Sequence, residues 1–433
     1  MAADERYRNK TILAPMVRAG QLPLRLLSLD YGADLVYTEE IVDMKMTQCT
    51  RTVNEKLQTI DFGFPGDDPV LRICPSKERD KIVFQMGTND ADRALQVAKF
   101  VENDVGSIDV NMGCPKPFSI HCGMGAALLT QLDKATQILT TLVQGSKIPI
   151  TCKVRLLDTL PETLHMVKEL EKCGISAIGV HGRTRDERPQ HPNRNEEIRE
   201  VVRALSIPVI ANGGSSIIHT YDDIAKFRSA TGCDSVMIAR RALSTPSIFR
   251  KEGILPMEEE IRNFLHFAID YEAPFTNAKY VLQRILGGEQ EFDPRGRATV
   301  RAVNVEELCA AWNMTEKFQE VKNSQSRATL KRKVDDVEII DLSFPPKRLR
   351  SKDGTSPKGV LHTHCCTTGM GKPVYHSTFR DEDKRYTAVV DIDGAKYSSR
   401  VGQPNKKMAE QVAALVALHS MNLRHLLSGT WED

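Results

Sequence analysis

Between Thr11 and Arg241 one pattern recurs eight times: a short apolar or β-branched run, a polar or glycine stop, then a longer amphipathic stretch. The runs are Thr11–Met16, Ala33–Glu40, Lys81–Thr88, Ser107–Gly113, Pro149–Leu156, Ala177–Arg183, Pro208–Gly214 and Asp234–Arg241. Segments between them carry apolar residues three and four apart, as in Leu164, Val167 and Leu170, which is the spacing of one helix face. Near-continuous apolar strands alternating with helices specify a parallel sheet covered on both faces. Eight such units predict an α/β fold closed into a (β/α)8 TIM barrel. An open doubly wound sheet is the alternative, but no G-x-G-x-x-G follows the first run.

In a barrel of this kind the chemistry sits at the C-terminal strand ends. The fourth run ends in Asn111-Met112-Gly113-Cys114-Pro115, a thiol where a rigid strand gives way to a loop. Asn212, Gly213 and Gly214 after the seventh run offer bare backbone N–H groups, and Ala239 and Arg240 after the eighth add donors and a guanidinium, the makings of a phosphate cradle. Lys153 brings a cation to the mouth, while Gln85 and Asn111 bring amides. Each residue has a plainer reading: the amides can cap backbone, Lys153 can snorkel, His181 can be an interior histidine, and the glycines can serve a tight turn. Together they suit a flat heterocycle with a phosphate tail that becomes anionic on reduction, as flavin mononucleotide (FMN) does.

The motifs Leu13-Ala14-Pro15-Met16, Phe84-Gln85-Met86-Gly87, Asp109 to Pro115, Gly125 to Leu129, Cys152-Lys153-Val154-Arg155, Val180-His181-Gly182-Arg183 and Ile210 to Gly214 closely resemble those of the tRNA-dihydrouridine synthases. The resemblance runs from about Thr11 to Phe249. It implies an FMN-dependent barrel that reduces the C5=C6 bond of a tRNA uridine with NADPH as electron donor. It further implies that Ala14, Pro15 and Met16 line the flavin, that Gln85 and Lys153 contact its ring, and that Asn212 to Gly214, Ala239 and Arg240 hold its phosphate. Asn111 and His181 are expected near the flavin or the target base. Cys114 is the expected proton donor, preferred by motif position over Cys122 in the loop that follows. A thiol, with an ordinary pKa of about 8.5, keeps its proton at pH 7 and suits that role.

Beyond a catalytic domain over residues 1–254, apolar spacing at Ile261, Phe264, Leu265 and Ala268 predicts a helical domain over 255–322, with Lys279 and Arg284 as candidate phosphate contacts in the tRNA groove. Residues 323–354, with the basic run Phe344–Lys352, read as a flexible linker. Residues 355–433 resemble a double-stranded RNA-binding domain: alternating strands over Tyr386–Ile392 precede an alanine-rich helix that Lys406 and Lys407 open. Its first helix, over Ser356–Thr368, is weakened on this reading by Gly359 and the glycines that follow. Barrel, helices and RNA-binding domain together resemble the eukaryotic type-2 branch of the synthases, which acts in the D-loop.

Charge agrees with an RNA partner. Residues 326–433 hold 18 Lys+Arg against 13 Asp+Glu, an excess of 5, while the whole chain is only +2. None of the ten cysteines forms a C-x-x-C pair, so no metal site is expected. The absence of an apolar run of about 18 residues gives the expectation of a soluble protein with no membrane partner. A reduced, cytoplasmic monomer, with nuclear presence allowed by the basic run, completes the reading. Two other functions fit parts of the sequence: a flavin reductase of free pyrimidines, and a catalytically idle regulator that binds double-stranded RNA.

Overall fold

The structure, a computed structural model, describes residues 5–64, 67–328, 332–334, 337–340, 355–380, 385–423 and 426–427. All eight predicted strands form, as β1 (Thr11–Leu13), β2 (Leu35–Tyr37), β3 (Ile82–Gly87), β4 (Ser107–Met112), β5 (Ile150–Arg155), β6 (Ala177–His181), β7 (Val209–Asn212) and β8 (Ser235–Ile238). Each pairs in parallel with the next, and β8 returns to β1, with Thr11 opposite Val236, so the sheet closes. Closure leaves no edge and excludes the open-sheet alternative. Tyr7, Ile12, Ala14, Tyr37, Val83 and Ile210 are among the residues that fill one cluster of the barrel's core.

Helices follow the strands as the spacing predicts. Leu160–Lys172, for example, opens on a reciprocal capping box between Thr159 and Glu162 and buries Thr163, Met166, Val167 and Leu170. One excursion carries no such signal in the sequence. Between β2 and β3 the chain adds a short strand, Ile41–Val42, which pairs with Met86 and Gly87 of β3, and a three-stranded sheet of Thr50–Asn54, Thr59–Gly63 and Leu71–Ile73.

After the barrel come the expected helices. Met257–Asp270 buries Ile261, Phe264, Leu265 and Ala268, and Phe275–Leu286 buries Ala278, Val281, Leu282 and Ile285. The buried Trp312 donates its indole N–H to Thr299 Oγ1 at 2.9 Å, which satisfies the one polar atom of a large core residue.

The C-terminal unit has the order helix, three antiparallel strands, helix: Pro357–Thr368, Val374–Arg380, Arg385–Ile392, Ala395–Ser398 and Lys406–Ser420. Two expectations need correction here. The first helix is well formed, because Gly359 falls in its first turn, where its N–H binds the N-cap Ser356 Oγ, and Gly369 terminates it in the left-handed region at φ 75°. The glycines bracket the helix, and Leu361 and Cys365, one turn apart, enter the core. Nor are residues 323–354 a linker throughout. A helix continues to Ala328, and strands Arg332–Val334 and Val337–Ile339 extend the sheet through a parallel pairing onto Ala395–Ser398. The basic run Phe344–Lys352 lies outside the described residues.

Candidate active site

Strand alternation decides which side chains enter the barrel mouth, and on β4 it turns Asp109 and Asn111 the same way. Gln85, on the neighbouring β3, is buried, with its Nε2 donating to Asp109 Oδ2 at 2.9 Å. Asn111 donates Nδ2 to Gln85 Oε1 at 3.3 Å and accepts the backbone N–H groups of Gly113 and Cys114 at 2.9 and 3.0 Å. The amide thus fixes the turn that presents the thiol. Cys114, half-buried, accepts a hydrogen bond from Ser119 Oγ at 3.3 Å. Gly125 allows the chain to close over it, since a Cβ there would lie 2.9 Å from Cys114 Cβ.

Glu40, just past β2, faces the same thiol. Burial raises its pKa, against a hydrogen bond from Cys114 and the charge of Lys116. Cys122 lies elsewhere: it ends the short helix Pro117–His121 with an exposed thiol, and its carbonyl accepts from Asn89 Nδ2 at 2.7 Å.

Lys153 reaches the mouth from β5, its stem passing over Gly179, where a Cβ would stand 3.2 Å from Lys153 Cγ. Burial, with the neighbouring Arg155, lowers its pKa to about 8, so the ammonium persists at pH 7. Burial, reinforced by Lys153 and three arginines, drives His181 far below the usual imidazole range. The ring is therefore neutral. Arg183 Nη1 lies 3.2 Å from His181 Nε2 and can only donate, which leaves the ring proton on Nδ1.

His181, Asn212, Gly213, Ala239 and Arg240 line one cavity with Arg155, Arg183 and Arg188, and Gly214 is not in its lining. Asn212 Nδ2 donates to Met237 O at 2.9 Å, tying β7 to β8. Arg183 is buried and its Nη2 has no hydrogen-bond partner among the described residues, which leaves a cationic donor in a wall of this cavity. An unpartnered guanidinium N–H beside a second arginine and a glycine turn fits a phosphate. Gly213 sits at φ 117°, and a Cβ there would lie 1.9 Å from Asn193 Oδ1. Gly214 has another job, since a Cβ on it would press Ile218 and Phe227 at 3.0 Å. If this cavity holds the phosphate of a flavin, replacing Gly213 by Ala should strip that flavin from the purified protein, read as loss of visible absorbance, whereas full flavin content would contradict the cradle.

Ala14 is buried and Pro15 and Met16 half-buried at the end of β1, where Ala14 N donates to Ile238 O at 2.9 Å. The strand-end reading places Glu40, Arg155 and Arg183 at the mouth without giving them a role, and it does not reach Asp109 or Arg188. A period of two, applied inward from Asn111 and outward from Lys153 and His181, reaches Asp109, Arg155 and Arg183.

The two candidate RNA contacts on the helices differ. Lys279 donates Nζ to Val300 O and Ala302 O, both at 2.8 Å, so its charge serves local packing. Arg284 is exposed and stacks at 4.9 Å on Tyr280, whose ring also meets Arg18 at 6.0 Å. In the C-terminal unit Lys406 and Lys407 are both exposed at a helix start capped by Asn405, and form no ion pair among the described residues.

The family described as Dihydrouridine synthase (Dus) matches residues 12–337. The chain belongs to the dihydrouridine synthase family. A second match, the double-stranded RNA binding motif, covers residues 357–421. Among similar proteins, the tRNA-dihydrouridine(20) synthase (NAD(P)+) of Schizosaccharomyces pombe is 40% identical over 292 residues, 65% of this chain and 60% of that protein. The Saccharomyces cerevisiae protein of the same description is 39% identical over 307 residues, 66% of this chain and 79% of that protein. The chain thus spans three fifths of the first dihydrouridine synthase relative. Among the described residues no helix is long and apolar enough to cross a membrane, and no His/Cys/Asp/Glu group could hold a metal ion.

Proposed function

We propose that this protein is a tRNA-dihydrouridine synthase that binds FMN, takes electrons from NADPH and reduces the C5=C6 bond of a D-loop uridine. The observation that carries the reading is a thiol fixed at the mouth of a barrel beside a cationic cavity, in a chain that also carries an RNA-binding domain. FMN, when bound, would supply hydride chemistry at its ring. Asn212, Gly213, Ala239, Arg183 and Arg240 would hold its phosphate, and Gln85 and Lys153 would meet its ring.

The protein's own groups divide the remaining work. Asn111 aims the Cys114 loop, and Cys114 Sγ–H gives its proton to a ring carbon of the uracil, leaving a thiolate. Lys153 stabilises negative charge in the mouth. Neutral His181, protonated at Nδ1, serves as a hydrogen-bond donor and not as a cation. The uridine must leave its stack to reach these groups. Since the pKa of Lys153 is about 8, tRNA reduction should decline as pH rises through that value. Lys153→Arg, which keeps its charge, should move the midpoint of that decline to higher pH; a limb unmoved by the substitution would assign it to another group.

On the helices, Arg284→Ala should weaken tRNA binding several-fold, while Lys279→Ala should lower the unfolding temperature by the loss of two carbonyl contacts, about 1 kcal/mol each. The opposite assignment, read by filter binding and calorimetry, would reverse the two roles. A reductase of free pyrimidines has no use for the C-terminal domain, and an idle regulator has none for Cys114 and the cavity. The deciding test is to mix NADPH-reduced protein with tRNA or with free uridine under anaerobic conditions. Flavin reoxidation by tRNA alone supports the proposal, and reoxidation by uridine at an equal rate overturns it.

A further inference from the structure

Four side chains in three adjacent barrel strands form a hydrogen-bond chain with only one allowed direction. Thr151 Oγ1 donates to Asp109 Oδ1 at 2.7 Å and Gln85 Nε2 to Asp109 Oδ2 at 2.9 Å. Asn111 Nδ2 donates to Gln85 Oε1, and Asn111 Oδ1 accepts from Gly113 and Cys114 N–H. Backbone N–H groups at one end can only donate, and an ionised carboxylate at the other can only accept. Each amide between them is therefore held in one of its two orientations. Thr151, Asp109, Gln85 and Asn111 are all buried, so water cannot repair a reversed link.

We propose that Asp109 is a positioning residue whose carboxylate sets the polarity of the Gln85–Asn111 chain and thereby the aim of Cys114. The inference rests on the proposed role of Cys114 as the acid. Keeping a buried carboxylate ionised is unfavourable: burial raises the pKa of Asp109 to about 6, against the hydrogen bonds from Gln85 and Thr151 and the charge of Lys153. Tyr7, Tyr37 and Cys152 also face it, with Arg6 near both tyrosines, and each of these three neutral groups is itself disfavoured from ionising by Asp109. A carboxyl with a raised folded pKa withdraws stability as pH rises through that value, so its ionised form at pH 7 does not serve stability. Below about pH 6 the protonated acid can donate to Gln85 Oε1. Gln85 Nε2 would then confront Asn111 Nδ2, which the two backbone N–H groups hold in place.

The variants that test this exploit the Thr151 hydroxyl, which can accept as well as donate. In Asp109→Asn the introduced amide can turn its nitrogen to Thr151 while its oxygen still accepts from Gln85, so the direction survives in part. Thr151→Val removes a single donor and leaves the carboxylate. In the double variant the introduced amide nitrogen loses its Thr151 partner, and Gln85 Oε1 is the one acceptor left to it within the chain, which favours the reversed direction. Two readouts are needed: reoxidation of the reduced holoprotein by tRNA, and alkylation of Cys114 by iodoacetamide, followed by peptide mass spectrometry without any RNA. The expected result is a loss in the tRNA step of at most a few-fold for Thr151→Val and of about 30-fold or more for the pair, well beyond the product of the singles. Cys114 alkylation should change about 3-fold or more in the pair alone, and an acid limb of the tRNA step near pH 6 should be more pronounced in Thr151→Val, where the protonated carboxyl can no longer donate to the hydroxyl, and missing in Asp109→Asn. Unchanged alkylation in a pair that keeps its unfolding temperature would overturn the positioning role. Altered alkylation in a protein that never reduces tRNA would leave the chain standing and remove the proposed activity instead.

Discussion

Cys114→Ala should retain bound flavin and its reduction by NADPH while losing dihydrouridine formation by about 10²- to 10⁴-fold, the range a positioned general acid supplies. The separation follows from the geometry. Asn111 holds the Gly113–Cys114 turn through backbone N–H groups, which an alanine at 114 leaves in place, and Ser119 loses only a thiol acceptor. The cavity of Arg183, Asn212, Gly213 and Arg240 is untouched. Stopped-flow traces for the two half-reactions would show a normal reduction and a stalled reoxidation. If both halves slowed alike, the thiol would be a structural element of the flavin site. The companion Cys122→Ala should be close to wild type, because that thiol is exposed at the end of a short helix and the residue's hydrogen bonds are made by its backbone.

Reversing the charges of Lys406 and Lys407 to Glu should cut tRNA affinity by about 10-fold or more at low salt and leave NADPH oxidation of the free holoprotein unchanged. Both ammonium groups stand exposed at the first turn of Lys406–Ser420, where the positive end of the helix dipole adds to them. Neutralising the pair to Ala should lower the slope of log affinity against log salt by roughly 1.5, at about 0.7 to 0.9 per lost phosphate contact. An unchanged slope would mean that neither lysine meets the RNA backbone. The helix itself should survive, since Ala409, Val412, Ala413 and Leu415 hold it in the core and Asn405 caps it. Circular dichroism of the variant separates loss of contact from loss of fold.

Much of the fold is legible in the sequence because the barrel strands are largely buried on both sides and so read as mainly apolar runs. Val83, Ile108, Val154 and Ile210 are all fully buried. The excursion between β2 and β3 escapes that rule. Thr50–Asn54 is exposed along most of its length, so no burial pattern marks it. The added strands Arg332–Val334 and Val337–Ile339 are charged and short, and they join the sheet only through the pairing of Val337–Ile339 with Ala395–Ser398, a partner distant in sequence that local spacing cannot reveal. Gly359 misleads in sequence because the cost of a glycine depends on whether it falls inside a helix or in its capping turn.

The site is legible at its rim and opaque one layer down. Gln85, Asn111, Lys153, His181 and Asn212 stand where strand ends predict. What they do depends on neighbours that composition does not advertise. Asn111 proves to be a backbone cap, and Gln85 has its amide nitrogen committed to Asp109. Arg183 carries the unpartnered donor that best supports a phosphate. Lys279 reads as a phosphate contact in sequence, but its ammonium is taken by two carbonyls. A lysine's charge is visible in sequence, whereas its hydrogen bonds exist only once the helices have packed.

The central claim is that this barrel reduces a uridine within tRNA and protonates it from Cys114. Its most direct test is mass spectrometry of unmodified tRNA after incubation with the purified holoprotein and NADPH, run beside Cys114→Ala. One D-loop uridine should gain the mass of two hydrogens with the wild-type protein, and none should with the variant. An equal gain from both proteins, or tRNA unchanged by a wild-type protein that reduces free uridine, would contradict it.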